Sequence, residues 1–324
     1  MAITLPNNFV KQYNSNLHIL TQLMGNKFAG KCREESIQGE EQYFDTLGNT
    51  VAGLRDSQFP TSPTSSIAHD RRQVKATAYH NGLFVDRIEK VKTLCDPESA
   101  YPQQQIKALN RKRDQEFFKG ALGTAVTGVA GGGTAPVTGC PVVDVATGDT
   151  GDTTGMNLDK LIEALYKLEA SGVDVEDPMD KPYFVWTPKQ KNELLKNTKV
   201  TSTDYATVKA LVTGQINSFY GFEFISSTLV PYTDEAGTGV NLSWSATTDA
   251  PVLDPNTDVR CCFAYTKNNI IQATNPEITT EIEKRADHSF DWYAYSLIRT
   301  GAVRMEENKV VLVPCDEDLV NNEA

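Results

Sequence analysis

Residues 72–79 alternate without a break. Val74, Ala76 and Ala78 fall on one side of an extended chain, with Gln73, Lys75 and Thr77 on the other. A half-buried strand needs a partner, and residues 37–47 upstream can supply one. The connection contains Phe59-Pro60-Thr61-Ser62-Pro63-Thr64-Ser65-Ser66, a turn-and-loop composition. This pattern predicts a long hairpin with a Pro/Ser/Thr-rich tip. Two strands alone are barely stable in water, so such a hairpin must dock elsewhere.

The elements on either side reinforce that constraint. Over residues 8–28, Phe9, Tyr13, Leu17, Leu20, Leu23 and Met24 recur at three- and four-residue steps, which predicts an amphipathic helix. A helix of this length at a chain start is marginal by itself and needs a surface to lie on. After the hairpin, Asp96-Pro97 ends the extended region, and Pro102 suits a first helical turn. Ile106, Leu109, Arg113, Phe117 and Ala121 then form one stripe, joined by Phe118 and Leu122. On this spacing Gln103, Gln104, Gln105, Lys107, Lys112, Asp114 and Glu116 should face away from it.

Residues 155–265 read as a compact α/β unit. Asn157 is a fitting N-cap for the helix carrying Leu158, Leu161, Ile162, Leu165 and Leu168, and Gly172 is a stop. A buried strand at 183–186 follows, then a short helix begun by Thr187-Pro188, a helix over 204–212, and strands at 222–226 and 260–265. The remainder is β-rich. Residues 278–283 alternate, 290–298 are apolar and aromatic, and 310–313 form a short buried run. The acidic tail after residue 316 reads as loose.

Chemistry is sparse. Gly128-Val129-Ala130-Gly131-Gly132-Gly133 has no following lysine for a phosphate loop and lacks the flanks of a dinucleotide fingerprint, so it reads as a flexible connection. The four histidines share no metal-ligand spacing, and no nucleophile elbow or His-Glu-x-x-His occurs. His69-Asp70 could pair a base with its orienter, but adjacent side chains rarely aim at one target. No run approaches the ~18 apolar residues of a membrane span, and the start has no signal-peptide pattern. The net charge of −11 argues against a dedicated nucleic-acid binder. No catalytic, cofactor-binding or metal site is assigned.

The order of elements now carries more than any motif: amphipathic arm, long hairpin, long helix, α/β insert, returning β segment. It resembles the major capsid proteins of tailed bacteriophages, with the Hong Kong 97 type fold. Local matches are Phe44-Asp45-Thr46-Leu47-Gly48, His69-Asp70-Arg71-Arg72, Asp96-Pro97-Glu98-Ser99-Ala100-Tyr101 and Asn110-Arg111-Lys112-Arg113-Asp114. Gly221-Phe222-Glu223-Phe224-Ile225-Ser226 and Gly301-Ala302-Val303-Arg304 are two more.

The resemblance implies an α+β capsid fold with an N-terminal arm (1–31) and an extended hairpin, or E-loop (32–94). It further implies a peripheral (P) domain with a long spine helix (95–154 and 266–324) and an axial (A) domain (155–265). The implied role is a major capsid protein, not an enzyme, that assembles in the host cytoplasm into the icosahedral shell of a virion. Pentamers and hexamers of the chain would enclose double-stranded DNA without sequence-specific binding, with no cofactor and no membrane. The absence of the namesake's long region before the arm implies a separate scaffolding protein, and a portal is expected. Phe9, Tyr13, Leu17 and Leu20 of the arm, and Arg71 and Arg72 at the hairpin root, are the expected assembly contacts. The competing readings are another virion component, from tail or head completion, and a cytoplasmic α/β enzyme. An enzyme should show a concave pocket with converging polar groups.

The six cysteines, Cys32, Cys95, Cys140, Cys261, Cys262 and Cys315, are scattered and form no Cys-x-x-Cys. Reduced, buried thiols are the expected state. Thiol titration of the unfolded, never-reduced protein should therefore find all six free; a count two lower would reveal a disulfide.

Overall fold

The structure is a computed structural model. It describes residues 26–56, 58, 64, 66–85, 100–128, 132–148, 154–175, 177–196, 218–234, 239–246, 248–252, 259–275, 279–288 and 290–317. Phe9, Tyr13, Leu17 and Leu20, Cys95, the helix expected over 204–212 and residues 318–324 lie outside them.

In chain order the strands are β1 (Arg33–Ser36), β2 (Glu41–Leu47), β3 (His69–Lys75), β4 (Thr77–Val85), β5 (Ala125–Thr127), β6 (Gly133–Ala135), β7 (Pro182–Trp186) and β8 (Ser218–Phe219). They continue with β9 (Phe222–Ser226), β10 (Tyr232–Thr233), β11 (Val259–Thr266), β12 (Ile270–Thr274), β13 (Thr279–Arg285), β14 (Asp291–Arg304) and β15 (Val310–Asp316). The α-helices are α1 (Ala100–Leu122), α2 (Leu158–Ala170) and α3 (Pro188–Lys196). By contacts the chain divides into two compact units. The larger holds Asn26–Thr77, Arg113–Pro276 and Arg299–Ala324; the smaller includes Ala78–Lys112 and Glu277–Ile298.

The larger unit contains a six-stranded sheet in the order β10-β11-β7-β9-β8, with β15 along β11. β7 and β9 are parallel, and β11 and β15 are antiparallel from Val259↔Asp316 to Tyr265↔Val310. Every residue of β7 is buried. Trp186 stacks on Phe224 with centroids 4.1 Å apart, and α2 lays Leu161, Ala164 and Leu168 into the same core. Each large apolar side chain fully buried in this way contributes about 1.5–3 kcal/mol.

The helix boundaries follow from their caps. Asn157 accepts a hydrogen bond from the Lys160 N–H at 2.8 Å, and Gly172, at φ +85°, supplies the left-handed residue that ends α2. At the start of α3 the Gln190 side chain reaches back to the Thr187 N–H at 3.2 Å, as in a capping box. Lys160 is completely buried. Its ammonium donates to the carbonyls of Thr154 (2.6 Å) and Pro314 (2.8 Å), and burial lowers its pKa.

A second sheet of this unit runs β2-β3-β5-β6. The expected hairpin is present, with β2 and β3 antiparallel from Glu41↔Lys75 to Leu47↔His69. It does not stand alone, because β5 pairs with β3 on the side away from β2. The glycine-rich stretch is likewise more than a connection: β5 and β6 pair across it from Ala125↔Ala135 to Thr127↔Gly133. Val74 and Ala76 are buried as predicted, whereas Ala78 is exposed. The alternation ends where β3 gives way to β4. In the smaller unit β13 runs antiparallel to β14 from Thr279↔Leu297 to Arg285↔Asp291, and β4 also pairs with β14. Gln105 of α1 donates to the Ala294 carbonyl and accepts from Ser296 Oγ, both at 3.0 Å.

Two expectations are corrected here. Gln105, Asp114 and Glu116 do not face water; they are 3 %, 2 % and 7 % exposed. The reason is that residues 114–118 of α1 are buried on all sides, and their polar groups are bonded internally: Asp114 to Lys27, Gln115 to Asp249 and Glu116 to Lys119. Phe28 is not the end of an amphipathic helix. It sits in a turn and is 1 % exposed.

β14 passes the end of β3 so closely that a Cβ on Gly301 would lie 2.3 Å from the Lys75 carbonyl oxygen. That atom is backbone and cannot swing aside. Gly301→Ala should therefore lower the unfolding free energy by about 1–3 kcal/mol, measured by urea denaturation; an unchanged midpoint would show that the strands can separate without loss.

Candidate assembly surface at the hairpin

The register of β2 and β3 places two of the sequence matches opposite each other, with Asp45 across from Arg71 and Phe44 across from Arg72. Consecutive strand residues face opposite ways, so the two arginines have different surroundings. Arg71 lies on the exposed face. Its Nε donates to Asp45 Oδ1 at 2.5 Å and its Nη2 to Oδ2 at 3.3 Å, while the guanidinium lies 5.7 Å from the centre of the Tyr43 ring. The hydrogen bond from Arg71 holds the Asp45 carboxyl below the usual carboxylate range.

Arg72 points inward and is 6 % exposed. It donates to the Met305 carbonyl at 2.9 Å and to Glu307 Oε2 at 3.0 Å, with Asp70 at 3.7 Å. The other Glu307 oxygen lies 3.7 Å from Nε of Arg304, which is wholly buried. Arg304 in turn donates to the carbonyls of Ala121, Gly123 and Ala135. The sequence marked both arginines as assembly contacts. It carried no sign of Glu307, and Arg304 was marked only by its place in the Gly301–Arg304 match.

Beyond the root, Gly48 N donates to the Ala68 carbonyl at 2.7 Å, holding the chain ends together one step further. Leu47, Val51 and Leu54 are then 67 %, 91 % and 89 % exposed. A cavity of about 460 Å³ opens beside the root, lined among others by Thr46, Gly48, Asp70, Arg72, Gly172 and Glu307. Along its wall Arg72 donates to Glu307 at 3.0 Å and lies 3.7 Å from Asp70, which accepts the Arg71 N–H at 2.8 Å. Among the described residues there is no cluster of three metal-ligating side chains, and no helix is long and apolar enough to cross a membrane.

This architecture has close counterparts. The chain covers 94 % of its length on 92 % of a chain in the capsid structure of the cyanophage P-SCSP1u, at a TM-score of 0.68 and 15 % identity. The capsid of Ralstonia phage GP4 matches at a TM-score of 0.65 and 11 % identity, over 98 % of this chain and 97 % of that one. The acid-stable capsid of Helicobacter pylori bacteriophage KHP30 matches at 0.66 and 9 % identity, over 96 % and 98 %. Identities this low establish a shared fold. No curated protein matches the sequence significantly. The sequence does match a family described as phage capsid protein over residues 5–317, nearly its whole length. The chain belongs to that phage capsid protein family: it is a major capsid protein of a virion, a structural rather than a catalytic component.

Proposed function

We propose that this chain closes into an icosahedral shell of pentamers and hexamers around double-stranded DNA, and that its hairpin and N-terminal residues are what reach neighbouring copies. The observation carrying this reading is the contrast along the hairpin. Its root is tied to the subunit's own core through Arg72, Met305 and Glu307, whereas Leu47, Val51 and Leu54 beyond the root are mostly exposed. An element firm at its base and apolar further out is suited to cover a surface on another copy. Rings and shells need such contacts, in which one patch meets a different patch on the next subunit. Stable multi-subunit interfaces bury on the order of 2,000 Å². At about 25 cal/mol per Å² of apolar area, that is ample to order segments that are marginal alone.

On this reading Phe9, Tyr13, Leu17, Leu20 and Arg71 contact neighbours, while Arg72 serves the hairpin from inside. Residues 1–31 act as arm, 32–94 as E-loop, 95–154 with 266–324 as P domain and 155–265 as A domain, with β15 tying the chain end onto the A-domain sheet. A separate scaffolding protein and a portal complete assembly. The net charge of −11 suits a wall that holds DNA without gripping it. The chain has no turnover of its own.

Three variants separate assembly from folding. Deletion of residues 1–25, which spares Phe28, should leave a folded subunit with its denaturation midpoint intact. Arg71→Glu, which sets a second carboxylate opposite Asp45, should cost the subunit no more than about 1 kcal/mol. Both should lose closed shells when expressed with the scaffold and sedimented. Arg72→Met should instead lower subunit stability by about 1–3 kcal/mol, because it removes the charged bonds that tie the hairpin root to the Met305 carbonyl and to the half-buried Glu307. Wild-type shell yields from the first two variants would refute the assembly roles. An unchanged stability for Arg72→Met would refute the inward one.

A further inference from the structure

The turn over residues 26–32 is held from three sides. Lys27 donates its backbone N–H to both oxygens of Asp114 on α1, at 3.2 and 3.4 Å, and its ammonium to the Ser226 carbonyl at the end of β9 at 2.5 Å. Phe28 stacks on Phe117 with centroids 3.9 Å apart and planes 13° from parallel, and meets Phe118 edge-on at 5.3 Å. Lys31 N closes the turn on the Phe28 carbonyl at 3.0 Å, and the Tyr265 hydroxyl of β11 donates to the Lys31 carbonyl at 3.3 Å. Every residue before Lys27 sets out from this anchorage.

Asp114 is the unusual member. It is 2 % exposed, yet the basic side chains nearest to it are bonded elsewhere: Lys27 to Ser226, and Arg113 to Glu34 of β1 at 2.9 Å. Its hydrogen bonds come from the backbone of the turn. We propose that Asp114 is a proton-operated catch: the gain or loss of one proton at its carboxyl sets how firmly residues 26–32 are held on α1. Burial pushes this carboxyl up to about 7, against the opposing pull of the Lys27 N–H and the Lys27 and Arg113 charges. The other groups around the turn are Lys31 beside Lys27, Glu34 and Lys267 beside Cys32, and Cys32 itself. Burial pushes the Cys32 thiol up to about 12, so it keeps its proton across the neutral range.

The sign follows from linkage. Released into water, the carboxyl would titrate near ~3.9; in the closed turn it titrates near 7. The closed turn therefore binds the proton more tightly. Closure is firmest in acid, weakens as pH rises toward 7, and levels off above it. Between pH 5 and pH 8 the closing equilibrium should fall by a factor on the order of tens. This inference does not depend on what residues 1–25 do in assembly.

Hydrogen exchange of the full-length, unassembled protein tests it, with rates corrected for the intrinsic effect of pH. Peptides covering residues 27–32 should lose protection by a factor of roughly tens from pH 5 to pH 8, well beyond any change in β11, which reports global opening. In Asp114→Asn the amide oxygen still accepts the Lys27 N–H but carries no charge, and the turn should stay protected at both values. A flat wild-type profile, a change shared equally by β11, or a wild-type profile retained in Asp114→Asn would each overturn the proposal. If Asp114→Asn does not fold, the wild-type difference between the two segments decides.

Discussion

A guanidinium with no exposure to water is costly to bury unless most of its donors are bonded. Arg304 is in that position, and its bonds organise the larger unit. Two go to the carbonyls of Ala121 and Gly123, which the end of α1 leaves without helical partners, and one to Ala135 of β6. Arg304 also sits beside Glu307, which takes Arg72 of β3 on its other oxygen. One chain of charge thus links the end of α1, the glycine-flanked turn, β14 and the hairpin root. Carbonyl oxygens from three places in the chain surround Arg304, so its removal would strand all of them at once.

The hairpin and the turn at residues 26–32 obey a common rule. Each begins in the core of the subunit and leads into a segment offered to other copies in the proposed assembly. At the hairpin the anchor is the Arg72–Glu307 pair. At the turn it is Phe28 stacked on α1 together with the Asp114 bonds. An anchored root limits the directions an extension can take, which reduces the entropy lost when it docks. It also separates two kinds of defect. In the proposed assembly, damage to a root would lower the stability of the single chain, whereas damage further out would tell only where chains meet. The adjacent arginines of the hairpin illustrate both: Arg71 faces out and Arg72 faces in because strand side chains alternate.

Much of the fold could be read locally. The β2–β3 pairing followed from strict alternation, α1 from its apolar stripe, and α2 from Asn157 and Gly172 at its ends. The sequence matches also fell at meaningful places: Phe44–Gly48 opposite His69–Arg72, and Gly301 and Arg304 at a close strand crossing and a buried clamp. β5 and β6 were missed because three residues are too short to show a period. The inward side of Gln105, Asp114 and Glu116 was missed because a polar residue on a helix reads as solvent-facing unless its partner is known.

Those partners are remote. Lys27 lies 87 residues from Asp114, Asp249 lies 134 from Gln115, and Glu307 lies 235 from Arg72. Local periodicity and capping chemistry act within a few residues, so the sequence by itself determined the longer strands and helices such as β2, β3, α1 and α2, where α2 and α3 begin, and the order of elements that marks the family. Only the tertiary structure decided which polar side chains enter the core, because burial of a charged or hydrogen-bonding group depends on a complementary group arriving from elsewhere in the chain. Arg72 and Asp114 became structural through contacts that no local pattern encodes.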